Sequence, residues 1–242
     1  MIKWMHISDL HLTYNSYITG ESRNSFNQLM KSFKDEVQFL IITGDLTFAP
    51  KKAVKYKTII NNVNDLMNLL GIDKKHLIIV PGNHDKNNTL ARKIITEQVL
   101  NSKNNFYKST KGEIDDSIIE SLTLSQSKFN KLYNELTGEK YSQKPLTKTI
   151  DNHNFLLLNT ALFSYSSLSD MGKLIIGTMD LQNAISKIDN DYPTVVIGHH
   201  DLDWLNGDEK KCVIEQFNKI NCIAYLCGHN HQFEIKDIKN AE

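Results

Sequence analysis

Five short polar blocks interrupt this chain, each directly after an apolar run: Asp9-Leu10-His11, Gly44-Asp45, Gly82-Asn83-His84-Asp85, Gly198-His199-His200 and Gly228-His229-Asn230-His231. They hold six of the nine histidines, together with carboxylates and an amide. That mixture of imidazole and oxygen donors is the one a pair of divalent transition metals prefers. If the apolar runs are strands, the fold must bring their ends to one place, and the chain reads as a metalloenzyme.

The runs Ile2 to Ile7, Phe39 to Ile42 and Leu77 to Val80 suit buried strands, and each stops at a block. Phe155 to Leu158, Thr194 to Ile197 and Ile223 to Leu226 repeat the plan, with a short edge strand expected at Lys173 to Ile176 between glycines. Between the strands, helical spacing covers Phe26 to Phe33, Tyr56 to Leu70 ending at Gly71, Asp180 to Ile188 and Glu209 to Ile220. Alternating strands and helices predict an α/β fold, and two halves feeding one site suggest two sheets packed face to face. Open α/β sheets place ligands at strand ends, where side chains leave the packed core.

Residues 86 to 149 break the rhythm. One helix is expected through Leu90, Ile94, Ile95 and Val99 and another from Ile118 to Leu136, forming a helical insertion or cap beside the site. No Pro/Gly/Ser-rich linker divides the 242 residues, so they read as a single domain.

Lys plus Arg and Asp plus Glu both total 28, which argues against a protein that holds nucleic acid by bulk charge. Only Arg23 and Arg92 are arginine, so metals would have to bind most of any phosphate charge. Cys212, Cys222 and Cys227 lack zinc-knuckle spacing and fit a reducing compartment. The first block follows so closely on Met1 that a cleavable leader would remove part of the site, and no apolar run approaches the ~20 residues of a membrane span. A cytoplasmic protein with no membrane partner is expected.

Each block has its own chemistry. On an extended segment Asp9 and His11 point to the same side and can grip one ion. Asp45 offers two oxygens that can bridge two cations, and Asn83 supplies a neutral oxygen while His84 stays available as an acid. Asp85 is expected to bond backbone, because adjacent side chains diverge. His199 with His200, and His229 with His231, can face one pocket or different ions. His200 and Asn230 are candidates for contacts to a ligand's neighbours or to substrate. His6, His76 and His153 read as structural or solvent-facing.

Taken in order, the blocks resemble the signature of the calcineurin-like metallophosphoesterase superfamily: Asp-x-His, Gly-Asp, Gly-Asn-His-Asp/Glu, His and Gly-His-x-His. The resemblance implies a four-layer α/β/β/α sandwich of two mixed β-sheets flanked by helices, with a dinuclear metal site at the strand ends. It implies that Asp9, His11 and His231 hold one metal, that Asn83, His199 and His229 hold the other, that Asp45 bridges them and that His84 is the catalytic histidine. The two divalent ions are expected to be Mn2+, with Fe, Zn or Ni able to substitute. Attack on phosphorus by hydroxide, generated from water between two metals, follows as the expected reaction.

Two departures narrow the branch. Phe48 stands where protein Ser/Thr phosphatases of the superfamily carry a second acid, and Asp201 follows the paired histidines where the small bacterial cyclic-nucleotide phosphodiesterase-like branch commonly has Pro. That branch is nonetheless the more similar one, through Ile7 to Leu12 and Gly44 to Thr47. The expected function is hydrolysis of phosphodiester or phosphomonoester bonds in small substrates, with nucleotides favoured. The alternatives are a DNA or RNA nuclease of the same superfamily and a binding module that has lost catalysis. Only eleven residues follow His231, so an added strand from Phe233 to Ile238 and a C-terminal effector or regulatory module beyond Glu242 are also expected.

Overall fold

The computed structural model describes residues 2–12, 20–47, 56–101, 114–165, 169–232 and 234–235. Within them β1 (Trp4–Ile7), β2 (Phe39–Ile42) and β3 (Leu77–Ile79) form one parallel sheet in that order. A second sheet has the order β4 (Leu146–Ile150), β5 (His153–Leu157), β6 (Thr194–Ile197) and β7 (Cys222–Leu226), with β4 antiparallel to β5 and the remaining pairs parallel. The helices are α1 (Gly20–Ser32), α2 (Tyr56–Leu70), α3 (Leu90–Asn101), α4 (Asp116–Thr123), α5 (Ser127–Thr137), α6 (Thr178–Ile185) and α7 (Gly207–Phe217). None is long and apolar enough to cross a membrane.

The strand period of two divides each apolar run between two layers. Leu40, Ile42, Leu77 and Ile79 face outward and pack with Ile59, Val63, Leu66 and Met67 of α2 and Phe129, Leu132 and Leu136 of α5. Their neighbours Phe39, Ile41, Ile78 and Val80 face inward against Phe155, Leu157, Val195 and Ile197 of the second sheet. Leu156 and Val196 turn the other way, toward Leu181 and Ala184 of α6 and Val213 and Phe217 of α7. A strand buried on both faces has to be apolar throughout, which is why β2 and β6 read as unbroken hydrophobic runs. The result is helix, sheet, sheet, helix.

Helix α2 ends in a Schellman arrangement. Gly71 takes φ +74°, and the Gly71 and Ile72 amides donate to Asn68 and Met67 carbonyls at 3.3 and 2.9 Å.

Three segments depart from the sequence expectation. Lys173 to Ile176 is not a strand; Leu174 makes one isolated bridge to Leu205, because Gly172 and Gly177, at φ +71° and +99°, turn the chain at both ends. The single helix expected from Ile118 to Leu136 is two, α4 and α5, separated by a tight 3-10 turn over Leu124–Gln126. Ser125 and Gln126 are buried in that turn and bonded to Arg92 and Asn159, so α4 packs toward Leu162 and Phe163 while α5 packs on α2. The 86–149 stretch also contains the start of β4, joined to β5 by Asp151 and Asn152 at φ 47° and 63°. Of Phe233 to Ile238, only Glu234 and Ile235 are described, outside any strand; Phe48 and residues 102–113 lie outside the described residues.

Glu209, in the first turn of α7, is fully buried, and its carboxylate accepts the Ile176 amide at 3.1 Å. Burial pushes its pKa up to about 7, against the pull of the Ile176 and Gly177 amides. The unfolded chain ionises this group near 4.5 and the folded chain near 7, so the folded state holds the extra proton between those values and stability falls as pH rises through that window. The full difference is about 3 kcal/mol at ~1.4 kcal/mol per pKa unit. The difference in urea-unfolding free energy between wild type and Glu209→Gln should shift against wild type from pH 4.5 to 8; a difference independent of pH would contradict this assignment.

Candidate metal centre

Parallel strands share a C-terminal edge, so the loops after β1, β2, β3, β6 and β7 meet there. Their backbones interlock. The Asp9, His11 and Leu12 amides donate to the carbonyls of Gly44, Asp45 and Leu46 at 3.1, 2.9 and 2.8 Å, and the Gly228 amide donates to the His199 carbonyl at 2.9 Å.

The segment after β1 is not extended, contrary to the expectation for Asp9 and His11. Both adopt left-handed backbone, φ 55° and 43°, as do Asp45, His229 and His231 at 52°, 70° and 52°. Aspartate and histidine visit this region more readily than most residues, and five of the eight non-glycine residues that do so among the described residues lie at this one edge. The left-handed turns are what aim these side chains into the common pocket.

Glycines let the loops approach closely. A Cβ on Gly82 would lie 2.0 Å from Asp45 Oδ1, and one on Gly228 would lie 1.8 Å from Ser8 Oγ and 2.5 Å from Asp9 Oδ2. No side chain fits at either position.

Two donor sets result. In the first, Asp9 Oδ1 lies 4.0 Å from His11 Nε2 and 3.6 Å from His231 Nε2, and the two imidazole nitrogens are 3.5 Å apart. Asp9 Oδ2 accepts the His229 amide at 3.0 Å, whereas Oδ1 is buried without a hydrogen-bond donor among the described residues. In the second, Asn83 Oδ1 is 2.9 Å from both His199 Nε2 and His229 Nδ1, which are 3.3 Å from each other. His199 Nδ1 is 2.7 Å from the Thr43 carbonyl and must donate to it, leaving a bare lone pair at Nε2. Asp9, Asp45 and His199 also group within 4.8 Å, which ties the two sets together. Donors ~2.1 Å from one ion sit about 3 to 3.5 Å apart, so the second set already has ligand spacing and the first needs only a small contraction. An orphaned carboxylate oxygen among imidazole lone pairs is a cation's environment.

Asp45 Oδ2 is 3.5 Å from His199 Nε2 and 3.9 Å from His84 Nε2, while its Oδ1 accepts the His84 amide at 2.7 Å. Burial, then the nearby Asp85 carboxylate, pushes Asp45 up to about 8. Burial likewise pulls His199 down to about 3, and His84 and His229 to about 4. The imidazoles are therefore neutral at pH 7, the form that ligates. Asp9 falls below its ordinary value: burial opposes ionisation, but the Ser8 hydroxyl, His199, the His229 amide and His231 together outweigh it.

The remaining candidates lie around this core. Asp85 is buried and accepts the Gly82, Leu46 and Thr47 amides at 2.9, 3.3 and 2.9 Å, fastening the β2 and β3 loops together. His200 is buried with Nδ1 3.0 Å from Thr160 Oγ1, and that hydroxyl also accepts the His199 and His200 amides. Its one proton must then go to His200 Nδ1, so His200 carries N–H at Nε2 and has no lone pair left for an ion. Asn230 is exposed at the rim.

Thr160, Lys86 and Trp204 complete the surroundings and stand outside the five blocks. Thr160 follows the β5 run, so the strand-end rule could have found it. Trp204 sits with its ring 4.3 Å from that of His229, in the turn capped by Asp201. Arg92 is buried, with its guanidinium committed to Ser125 and to the carbonyls of Ala161, Leu162 and Ser164, and does not serve as a phosphate clamp.

The sequence profile of the calcineurin-like phosphoesterases matches residues 2–233. The chain belongs to this family. A curated relative, the uncharacterized metallophosphoesterase-like protein YydB of Bacillus subtilis (strain 168), is 27% identical over 239 residues, covering 95% of this chain and 49% of its own length. The chain thus spans about half the length of that curated relative. The crystal structure of phosphopantetheinyl hydrolase (PptH) from Mycobacterium tuberculosis aligns with a TM-score of 0.46 at 13% identity, covering 95% of this chain and 83% of that one.

Proposed function

We propose that this calcineurin-like domain is a hydrolase that cleaves phosphodiester or phosphomonoester bonds of small substrates, nucleotides being the favoured class. The observation that carries the reading is the pair of donor sets linked through Asp9, Asp45 and His199, with His84 3.9 Å from Asp45. In this reading Asp9, His11 and His231 hold one divalent ion, Asn83, His199 and His229 the other, and Asp45 spans them. Manganese is the favoured metal. Such a pair neutralises phosphoryl charge and makes water acidic enough to attack near neutral pH.

The protein's own residues do the rest. His84, neutral and half-buried, donates a hydrogen bond to the leaving oxygen. His200, with its proton at Nε2, acts as a donor within the pocket wall. Arg92 being committed elsewhere supports a site in which the ions bear most of the substrate charge. Of the 86–149 stretch, α3 and α4 act as a cap that shapes access, whereas α5 belongs to the helix layer on the first sheet. A cytoplasmic location fits three cysteines that form no disulfide.

One preparation assayed with Mn2+ on cyclic nucleotides, nucleoside monophosphates, bis-para-nitrophenyl phosphate and single-stranded DNA tests this. Metal-dependent turnover of the nucleotides should exceed that of DNA by about tenfold or more in kcat/KM. Preference for DNA would make the domain a nuclease, and no turnover with any divalent metal would make it a binding module.

A further inference from the structure

Lys86 directly follows the Gly82–Asp85 block, yet its side chain turns away from solvent and is 2% exposed. Burial pulls its pKa well below the ordinary lysine value, and a buried amine is expensive unless it is hydrogen-bonded. Here Nζ donates to the Asn83 carbonyl at 2.8 Å and to Ser164 Oγ at 2.7 Å. These partners belong to different halves of the fold: Asn83 lies in the loop after β3, and Ser164 in the loop after β5.

The β5 loop is itself anchored. Ser164 Oγ donates to the Ala161 carbonyl at 3.0 Å, and the buried Arg92 guanidinium gathers the carbonyls of Ala161, Leu162 and Ser164. The same loop begins with Thr160, whose hydroxyl receives the His199 and His200 amides at 3.1 and 3.0 Å. An unbroken chain of short bonds therefore runs from Asn83 through Lys86 and Ser164 to the loop that seats His199. Asn83 Oδ1 and His199 Nε2 are 2.9 Å apart, although they come from opposite sheets.

We propose that Lys86 is a positioning residue: a strut between the two sheets that fixes the Asn83 peptide relative to His199 and so sets the spacing of the Asn83, His199 and His229 donors. This rests on the reading of those three residues as ligands. The lysine touches neither ion nor substrate. Without it the Asn83–His84 peptide is held only at its other end, where the His84 amide donates to Asp45 Oδ1 at 2.7 Å, and the Asn83 amide oxygen can drift from the two imidazoles, while Asp9, His11 and His231 keep their own supports.

Mn2+ titration followed calorimetrically, with the metal-free unfolding temperature measured on the same samples, tests the strut. Lys86→Met should weaken the Asn83-side ion about 10- to 100-fold, as loss of an orienting partner typically does, and leave the Asp9-side ion within about threefold. Ser164→Ala keeps the lysine and removes its far anchor; a smaller loss at the same ion, about 3- to 10-fold, is expected. It also serves if Lys86→Met fails to fold. Asn83→Ala identifies which ion is which: if it binds both ions like wild type, the ligand reading fails and the strut with it. If Asn83→Ala loses one ion but Lys86→Met binds both with wild-type affinity, or weakens both equally alongside a lower metal-free unfolding temperature, the strut alone is overturned. Wild-type affinity in Ser164→Ala, with Lys86→Met unfolded, overturns it too.

Discussion

Asp45→Asn is expected to lower kcat/KM for a nucleotide substrate by on the order of 10³-fold, because the buried carboxylate lies between the two donor sets, grouped with Asp9 of one and His199 of the other. Charge stabilisation by a correctly held ion contributes several kcal/mol, and ~1.4 kcal/mol is a tenfold change in rate. The substitution is nearly isosteric, and an asparagine oxygen can still accept the His84 amide that Asp45 Oδ1 accepts at 2.7 Å. Stability should move the opposite way. Burial and Asp85 raise the Asp45 pKa to about 8, so the contribution of this group to the stability of the metal-free fold falls as pH climbs from about 4 to 8, where the unfolded chain ionises and the folded chain resists. Asparagine has no such penalty. At pH 8 without metal, Asp45→Asn should unfold at a higher temperature than wild type, and added Mn2+ should raise the wild-type value far more than the variant's. A variant less stable than wild type under both conditions would mean that Asp45 is structural.

His84→Ala should lower kcat about 10²- to 10⁴-fold while leaving KM within about threefold and both ions bound. The imidazole stands 3.9 Å from Asp45 Oδ2, and its ring lies edge-on to His11 with centroids 5.2 Å apart. It is at the pocket but belongs to neither donor group. Its backbone amide, which alanine retains, makes the structural contact. Kinetics with metal analysis separate the roles: loss of one metal equivalent would make His84 a ligand, and an unchanged kcat would remove it from the reaction.

Much of this was legible because burial dictates composition. Strands covered on both faces must be apolar, so Phe39 to Ile42 and Thr194 to Ile197 announce themselves, and polar residues directly after them have to be somewhere other than the core. β4 was hidden for the converse reason: Leu-Thr-Lys-Thr-Ile at a sheet edge is only partly buried, and its Asp151-Asn152 turn lacks the glycine that marks the commonest hairpins. The 3-10 break at Leu124–Gln126 was equally silent, since its cause is a tertiary partner, Arg92, rather than a local breaker. At the site, residue types in the blocks pointed to donors, but the left-handed backbone at Asp9, His11, Asp45, His229 and His231 did not follow from them. Aspartate and histidine tolerate that conformation better than most residues, but nothing in the residue types says which of them will adopt it. Lys86 was unreadable as well. A lysine beside a polar loop looks solvated until a partner 78 residues away, Ser164, is seen to bury it.

The most direct test is anomalous scattering from crystals of the wild-type protein grown with Mn2+, compared with Asp45→Asn under the same conditions. Two peaks in the wild type are predicted, one contacting Asp9, His11 and His231 and the other Asn83, His199 and His229, with at least one lost or weakened in the variant. No peak among these residues, or a single peak indifferent to Asp45, would contradict a two-ion centre.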